Sequence, residues 1–168
     1  MSNQVAAQTD AGAAVSNQVL TFTLGDETYG VDILRVQEIR GWSPVTRIPQ
    51  APGHVLGVLN LRGSIVPIVD LRMRFNLQHA EYTPLTVIIV LSVQSAVGRR
   101  DFGVVVDGVS DVIDVAANDV KPAPEMGANV STEFIEGLAA VSGRMVMLLD
   151  IDQLIGADVT GVALPPAA

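Results

Sequence analysis

The sequence predicts an all-β protein made of two similar small barrels, and three observations carry that prediction. The apolar content is high but poor in rings: 49% of residues are hydrophobic and only 4% aromatic, so Val, Ile, Leu and Ala supply most of it. β-branched residues crowd the apolar runs, which suits pleated, half-buried strands. Those runs are short and interrupted by turn residues at four hairpin-like places. The chain also repeats itself once, at a period too long for a solenoid unit and about right for a small barrel.

In chain order, residues 1–17 have no sustained period and no aromatic residue, and read as a loose N-terminal tail. Val19, Leu20, Phe22 and Leu24 lead into Gly25-Asp26-Glu27, and Tyr29 to Ile33 resumes the apolar pattern as the first hairpin. The second runs from Val55 to Leu61, through Arg62-Gly63-Ser64, to Ile65 and Val69. The third joins Val87–Val93 to Phe102–Val106 through a polar connector ending in Gly98-Arg99-Arg100. The fourth joins Leu138–Val141 to Met145–Leu149 through Ser142-Gly143-Arg144. Pro67 cannot donate to a ladder, so its strand is expected at an edge or beside a bulge. The last twelve residues, 157–168, read as a second loose tail, leaving 18–156 as the folded domain.

The repeat appears when residues 54–71 (HVLGVLNLRGSIVPIVDL) are set over 134–151 (FIEGLAAVSGRMVMLLDI) without gaps. Gly57 meets Gly137, Gly63 meets Gly143 and Asp70 meets Asp150. Upstream, Tyr29-Gly30-Val31 matches Phe102-Gly103-Val104, Glu38 falls over Asp111 and Pro49 over Pro122. The offset is 73 upstream and 80 downstream. Asp70 and Asp150 each stand where they can N-cap a short helix. The repeat does not say whether the barrels sit side by side or exchange strands.

Composition excludes several function classes. Ten basic residues face eighteen acidic ones, a net charge of −8 that opposes nucleic-acid binding. Six of the basic residues lie between Arg35 and Arg74, with acids interleaved and no aromatic ladder, as in a solvated or protein-binding face. The apolar runs fall far short of the roughly 20 residues that span a bilayer. No charged start precedes an apolar stretch as in a signal peptide, so a cytoplasmic protein without direct membrane insertion is expected. No cysteine is present to serve as nucleophile or thiolate ligand. His54 and His79 lack a partner at metal-ligand spacing, and no phosphate-cradling or nucleophile-elbow motif occurs. The acid pairs Asp101/Asp107 and Asp150/Asp152 read as turn and cap residues rather than an acid–base dyad. No catalytic residue, cofactor or metal is expected.

Comparing the two copies isolates positions that differ in kind. Arg62 stands opposite Ser142, Asn60 opposite Ala140, Arg35 opposite Gly108 and Arg40 opposite Ile113. Arginine suits protein interfaces because its planar fork makes several directed hydrogen bonds. Arg62 reads equally as a solvent-facing turn residue or as an interface residue. Glu38 and Asp111 are both acidic, so a shared structural role competes with a functional one. Gly57, Gly63 and Gly103 read as backbone necessities. Trp42, in Gly-Trp-Ser-Pro, is either an exposed anchor or half core.

Three segments carry a family resemblance: residues 22–75, 102–115 and 121–155. Leu24 to Gly30, Val-Gln-Glu-Ile at 36–39 and Asn-Leu-Arg-Gly at 60–63 together resemble the CheW family of chemotaxis coupling proteins. The likeness covers essentially the whole domain and departs from it mainly in the connector between Val93 and Arg100. It implies two intertwined SH3-like five-stranded β-barrels with short connecting and C-terminal helices, in the free-standing form of the domain. It implies a non-catalytic adaptor recruited to receptor arrays at the inner face of the membrane. The implied partners are the regulatory domain of the chemotaxis histidine kinase CheA and the cytoplasmic tips of methyl-accepting chemoreceptors. Family positions tied to these contacts fall on Val36, Glu38, Gly57, Arg62, Gly63, Gly103 and Val112, with their division between partners left open. Two rival classes are a small-ligand or oligosaccharide-binding double barrel and a hydrolase. Seven aromatic residues (one Trp, two Tyr, four Phe) offer the first little stacking surface, and the second has no nucleophile–base pair.

Overall fold

The computed structural model describes residues 18–50, 55–74, 81–95, 98–116, 119–122, 134–141 and 143–159. The N-terminal tail, His54, His79, Ser142 and residues 160–168 lie outside them. The first copy contains β1 (Gln18–Leu24), β2 (Glu27–Asp32), β3 (Val36–Gly41), β4 (Val55–Leu61), β5 (Ser64–Asp70) and the short helix α1 (Leu71–Arg74). The second contains β6 (Val87–Ser95), β7 (Gly98–Val106), β8 (Gly108–Asp114), β9 (Val120–Lys121), β10 (Ile135–Val141), β11 (Arg144–Leu149) and α2 (Ile151–Val159). A single 3-10 turn, Ile33–Arg35, joins β2 to β3. The C-terminal helix therefore runs three residues past the expected boundary at 156.

The copies exchange their first hairpins. One sheet has the order β3-β6-β7-β5-β4, so the β6–β7 hairpin of the second copy sits among strands of the first. The other has the order β8-β1-β2-β11-β10-β9, so the β1–β2 hairpin sits among strands of the second. Each inserted hairpin joins its host through a parallel pairing: β7 with β5 (Ile68 opposite Gly103) and β2 with β11 (Leu148 opposite Gly30). The matched triplets of the repeat, 29–31 and 102–104, therefore occupy the same seam in each barrel. Each sheet also curls on itself. The chain leaving β3 bridges the outer edge of β4 through Thr46 and Val58, and β9 covers β10 in the same way. The barrels are intertwined, as the resemblance implies.

Three hydrophobic cores follow. Ile88, Val90 and Val105 fill the first barrel with Leu61, Val66 and Ile68, while Val19, Val115, Ala139, Val146 and Leu148 fill the second. The largest core lies between them and takes Phe22, Leu24, Ile89, Leu91, Phe102, Val104, Leu154 and Ile155. β6 and the Phe102–Val106 half of β7 are thus buried on both faces, which is why they read as nearly continuous apolar runs rather than as alternation.

Four local expectations meet specific outcomes. The turn pairs Gly25-Asp26 and Arg62-Gly63 link strands in register, Leu24 opposite Glu27 and Leu61 opposite Ser64. Residues 93–95 and 98–100 are ladder rather than connector: Val93 opposes Arg100 and pairing continues to Ser95 opposite Gly98. Backbone ladders need no apolar side chains, so their polar composition was misleading. Pro67 lies in an interior strand, not an edge. Val58, opposite it, exchanges its backbone bonds with Thr46 at 2.8 and 2.9 Å, so no ladder bond from Pro67 is required there. A bulge does lie nearby, on β4 between Val55 and Gly57, and it recurs on β10 between Ile135 and Gly137. The two helices are capped by their aspartates: Asp150 Oδ1 accepts from Gln153 N at 3.2 Å and Asp70 Oδ1 from Arg72 N at 3.0 Å.

Candidate functional site

β3 inverts the usual alternation. Its charged residues Glu38 and Arg40 are half-buried, whereas Ile39 between them is 44% exposed. The β4–β5 turn meets this strand. Arg62 Nη2 donates to Glu38 Oε1 at 2.5 Å, and Arg40 Nη1 lies 3.8 Å from the other carboxylate oxygen. Asn60 Oδ1 accepts from Gly63 N at 2.9 Å and fixes the turn. Asp101 in mid-β7 shares a shallow groove of about 190 Å³ with Glu38, Arg62 and Ser64, so it is a strand residue rather than a turn residue.

Arg62 occupies an unfavourable conformation. Its φ is 54° and that of Gly63 is 89°, the two positive angles of a type I′ turn, which favours Asn-Gly at these positions. Left-handed backbone costs an L-residue about 1–2 kcal/mol. The Arg62 side chain is 81% exposed, and so open an ion pair contributes about 0–1 kcal/mol. The ion pair does not offset the conformation. Stability therefore does not explain an arginine at this place.

The second barrel holds a counterpart that comparison of the copies missed. Arg144 reaches Asp111, the equivalent of Glu38, at 3.3 Å, and Thr21 Oγ1 donates to the same carboxylate at 2.5 Å. The arginine has moved across the turn glycine: Arg-Gly-Ser in one copy, Ser-Gly-Arg in the other. Gapless alignment could not reveal this, although the reversed tripeptide was a visible signal. The acid–arginine tie is therefore common to both barrels, and in the first the arginine stands before the turn glycine, in the left-handed region.

The structure brings Glu38, Arg62 and Gly63 to one end of the first barrel, while Val36, across a bulge in β3 from Glu38, packs against the core between the barrels. Gly57 and Gly103 are elsewhere and buried. A Cβ on Gly57 would strike the Thr46 carbonyl, and one on Gly103 would lie 2.6 Å from Ile68 Cδ1 and 2.9 Å from Ile88 Cγ2. Both positions permit close packing within the barrel. Val112 lies on β8 of the other barrel, 48% exposed, at the position equivalent to Ile39. Trp42 stacks on Tyr82 at 4.1 Å while packing against the first barrel's core, so it is half core.

Between the barrels lies a cleft of about 680 Å³. Thr23, Gly25, Gly108 and Val109 line it from one barrel, Thr86 and Val87 from the other, and Leu85 stands at it 73% exposed.

The model of the CheW-like domain matches residues 18–159, the whole described extent of the fold. The chain belongs to the CheW-like family. It is 49% identical to the chemotaxis protein CheW of Klebsiella aerogenes over 88% of this chain and 87% of that one. It is 42% identical to the CheW of Rhizobium meliloti, over 82% and 86%. Among solved structures, the scaffolding protein TtCheW of Thermoanaerobacter tengcongensis superposes with a TM-score of 0.74 at 30% identity, covering 83% of this chain and 88% of that one. No described helix of this CheW-like chain is long and apolar enough to cross a membrane.

Proposed function

We propose that this chain is a non-catalytic chemotaxis adaptor that couples chemoreceptor tips to the histidine kinase CheA and supports control of its activity. The observation that carries the reading is Arg62. It is exposed and strained, and its ion pair is too weak to explain why it stands there. Membership of a family whose relatives are named chemotaxis and scaffolding proteins supplies the class of partner.

In this reading Val36 and Glu38 on β3, with Arg62 and Gly63 of the β4–β5 turn, bind the regulatory domain of the kinase. The inter-barrel cleft, with Leu85, Val87 and Val109 along it, receives the amphipathic helical tip of a receptor. Gly57 and Gly103 act by holding the barrel that presents the first face. The protein is recruited to arrays at the inner face of the membrane by these contacts. Signal passes as a change of geometry among bound partners rather than through chemistry on the adaptor.

The test is reconstitution. Kinase and receptor fragments are mixed with and without this chain, and co-purification and kinase autophosphorylation are measured. Receptor-dependent change in kinase activity only when the chain is present supports the proposal. Equal activity with and without it contradicts it.

A further inference from the structure

Only two short segments of the described chain cross between the barrels in direct succession of strands: the Ile33–Arg35 turn between β2 and β3, and Asp107 between β7 and β8. Each is held by a charged side chain of the helix that ends a copy. Arg72 of α1 donates to Asp107 Oδ1 at 3.1 Å. Asp152 of α2, the repeat equivalent of Arg72, accepts from Arg35 through both oxygens, at 2.9 and 2.7 Å. The charges are reversed between the two clamps. The Arg35 clamp is also tied to β6: Arg35 Nη1 donates to Ser92 O at 2.9 Å, and Gln94 N donates to Asp152 Oδ1 at 2.8 Å.

Arg35 immediately precedes Val36, the first residue of β3, whose pairing with β6 is broken by the bulge at Val36/Glu38. At a bulge the ladder alone fixes the strand poorly, because the extra residue is unpaired. An anchor on each side is then needed to aim the next side chains. Arg62 holds Glu38 on one side of the bulge, and Arg35 holds the chain on the other.

We propose that Arg35, locked by Asp152, is a positioning residue that sets the aim of Val36 and Glu38 toward the partner bound at that face. The proposal rests on the functional reading above and makes α2 part of that face without contact to the partner. A two-point guanidinium–carboxylate contact suits the task because it fixes angle as well as distance.

The experiment is a titration of the full chain with the kinase regulatory fragment, alongside amide exchange across β3. Arg35→Ala, Arg35→Lys, Asp152→Asn and Arg62→Ala are compared with the parent. Arg35→Ala and Asp152→Asn are each expected to weaken binding about tenfold and to speed exchange at residues 37–40. Exchange in β1, β4 and β5 should stay as in the parent. Arg35→Lys, which keeps charge and one contact, should recover most of the loss. If Arg62→Ala weakens binding while Arg35→Ala and Asp152→Asn do not, the positioning role is overturned and the functional reading survives. If Arg62→Ala also has no effect, the reading fails, and unchanged exchange at 37–40 in Arg35→Ala overturns the positioning role independently. A general rise in exchange across both sheets would mark Arg35 as merely structural and overturn it too.

Discussion

Arg72, fully buried at the start of α1, binds the equally buried Asp70 through Nε and Nη2, each at 3.0 Å, beside the point where the chain crosses from one barrel to the other. The same guanidinium reaches Asp107 and the carbonyl of Glu81, and lies 5.0 Å from the ring centre of Tyr82. A buried charge is tolerable only when paired and hydrogen-bonded. Arg72 meets that condition through residues of three separate segments. Arg72→Met is therefore expected to destabilise by about 3–5 kcal/mol, because it leaves Asp70 charged and unpaired. Adding Asp70→Asn should recover part of the loss. Urea melts of the single and double variants check this, and a single variant within about 1 kcal/mol of the parent would contradict it.

The turn at Arg62 separates stability from binding. Arg62→Asn creates Asn-Gly, the favoured pair for a type I′ turn. Its relief of left-handed strain should match or exceed the lost surface ion pair, so stability should be unchanged or higher by up to about 1 kcal/mol. Binding to the kinase fragment should fall. Thermal melting with a parallel titration reads both, and a variant that is less stable yet binds normally would reverse the interpretation of this turn.

Gly57 gives the opposite pattern. Gly57→Ala drives a methyl into the Thr46 carbonyl and should separate the 42–46 segment from β4, opening the first barrel. A loss of about 2 kcal/mol or more is expected, with binding reduced only as far as the fold is lost. Exchange of the Val58 amide, which donates to Thr46 O at 2.8 Å, is the direct readout. Gly137, against Lys121 O in the second barrel, should behave alike.

Acid should act through three carboxyls of opposite sign. Burial pushes Asp152 up, but the Arg35 bonds and the Gln94 N–H outweigh it and hold it below the usual range. The Thr21 hydroxyl, opposed by burial and helped by Arg144, holds Asp111 low. Burial, with Asp150 and Asp32 nearby, pushes Glu136 up. The stability due to Asp152 and Asp111 is complete above the unfolded aspartate value of about 3.9 and disappears as pH falls through their lower folded values. Glu136 works in reverse: its ionised form is disfavoured at neutral pH, and that penalty vanishes as pH falls through its raised value toward about 4.3. Melting temperature should thus hold or rise slightly from pH 7 toward 5 and then drop below 4. Glu136→Gln should raise it at pH 7 and remove the slight rise. Asp152→Asn should lower it at pH 7 and flatten the acid drop.

Much of this fold was legible because hairpins are local. Val19 to Ile33 and Val55 to Val69 announce strand, turn and strand within a few residues, and the paired glycines Gly57 and Gly137 mark two equivalent close approaches. The exchange of hairpins was not legible from the residues themselves. The β1–β2 and β6–β7 hairpins are homologous, so either barrel could bury their apolar faces, and only the resemblance indicated the exchange. Long-range charge pairs left no trace either, since Arg35 and Asp152 stand 117 residues apart. At the site, the residue types Glu38 and Arg62 could be singled out, but not their contact. Ile39 escaped notice because an isoleucine in an alternating strand normally faces inward, and here the charged residues take that side.

In the proposed function the Arg62 side chain serves a partner rather than the fold. The most direct measurement is a calorimetric titration of the kinase regulatory fragment with the parent chain and with Arg62→Ala, alongside thermal melts of both. The expected result is an unchanged fold with binding weakened by about 1–3 kcal/mol, roughly 5- to 150-fold. Equal affinity for the two proteins, each folded, would contradict it.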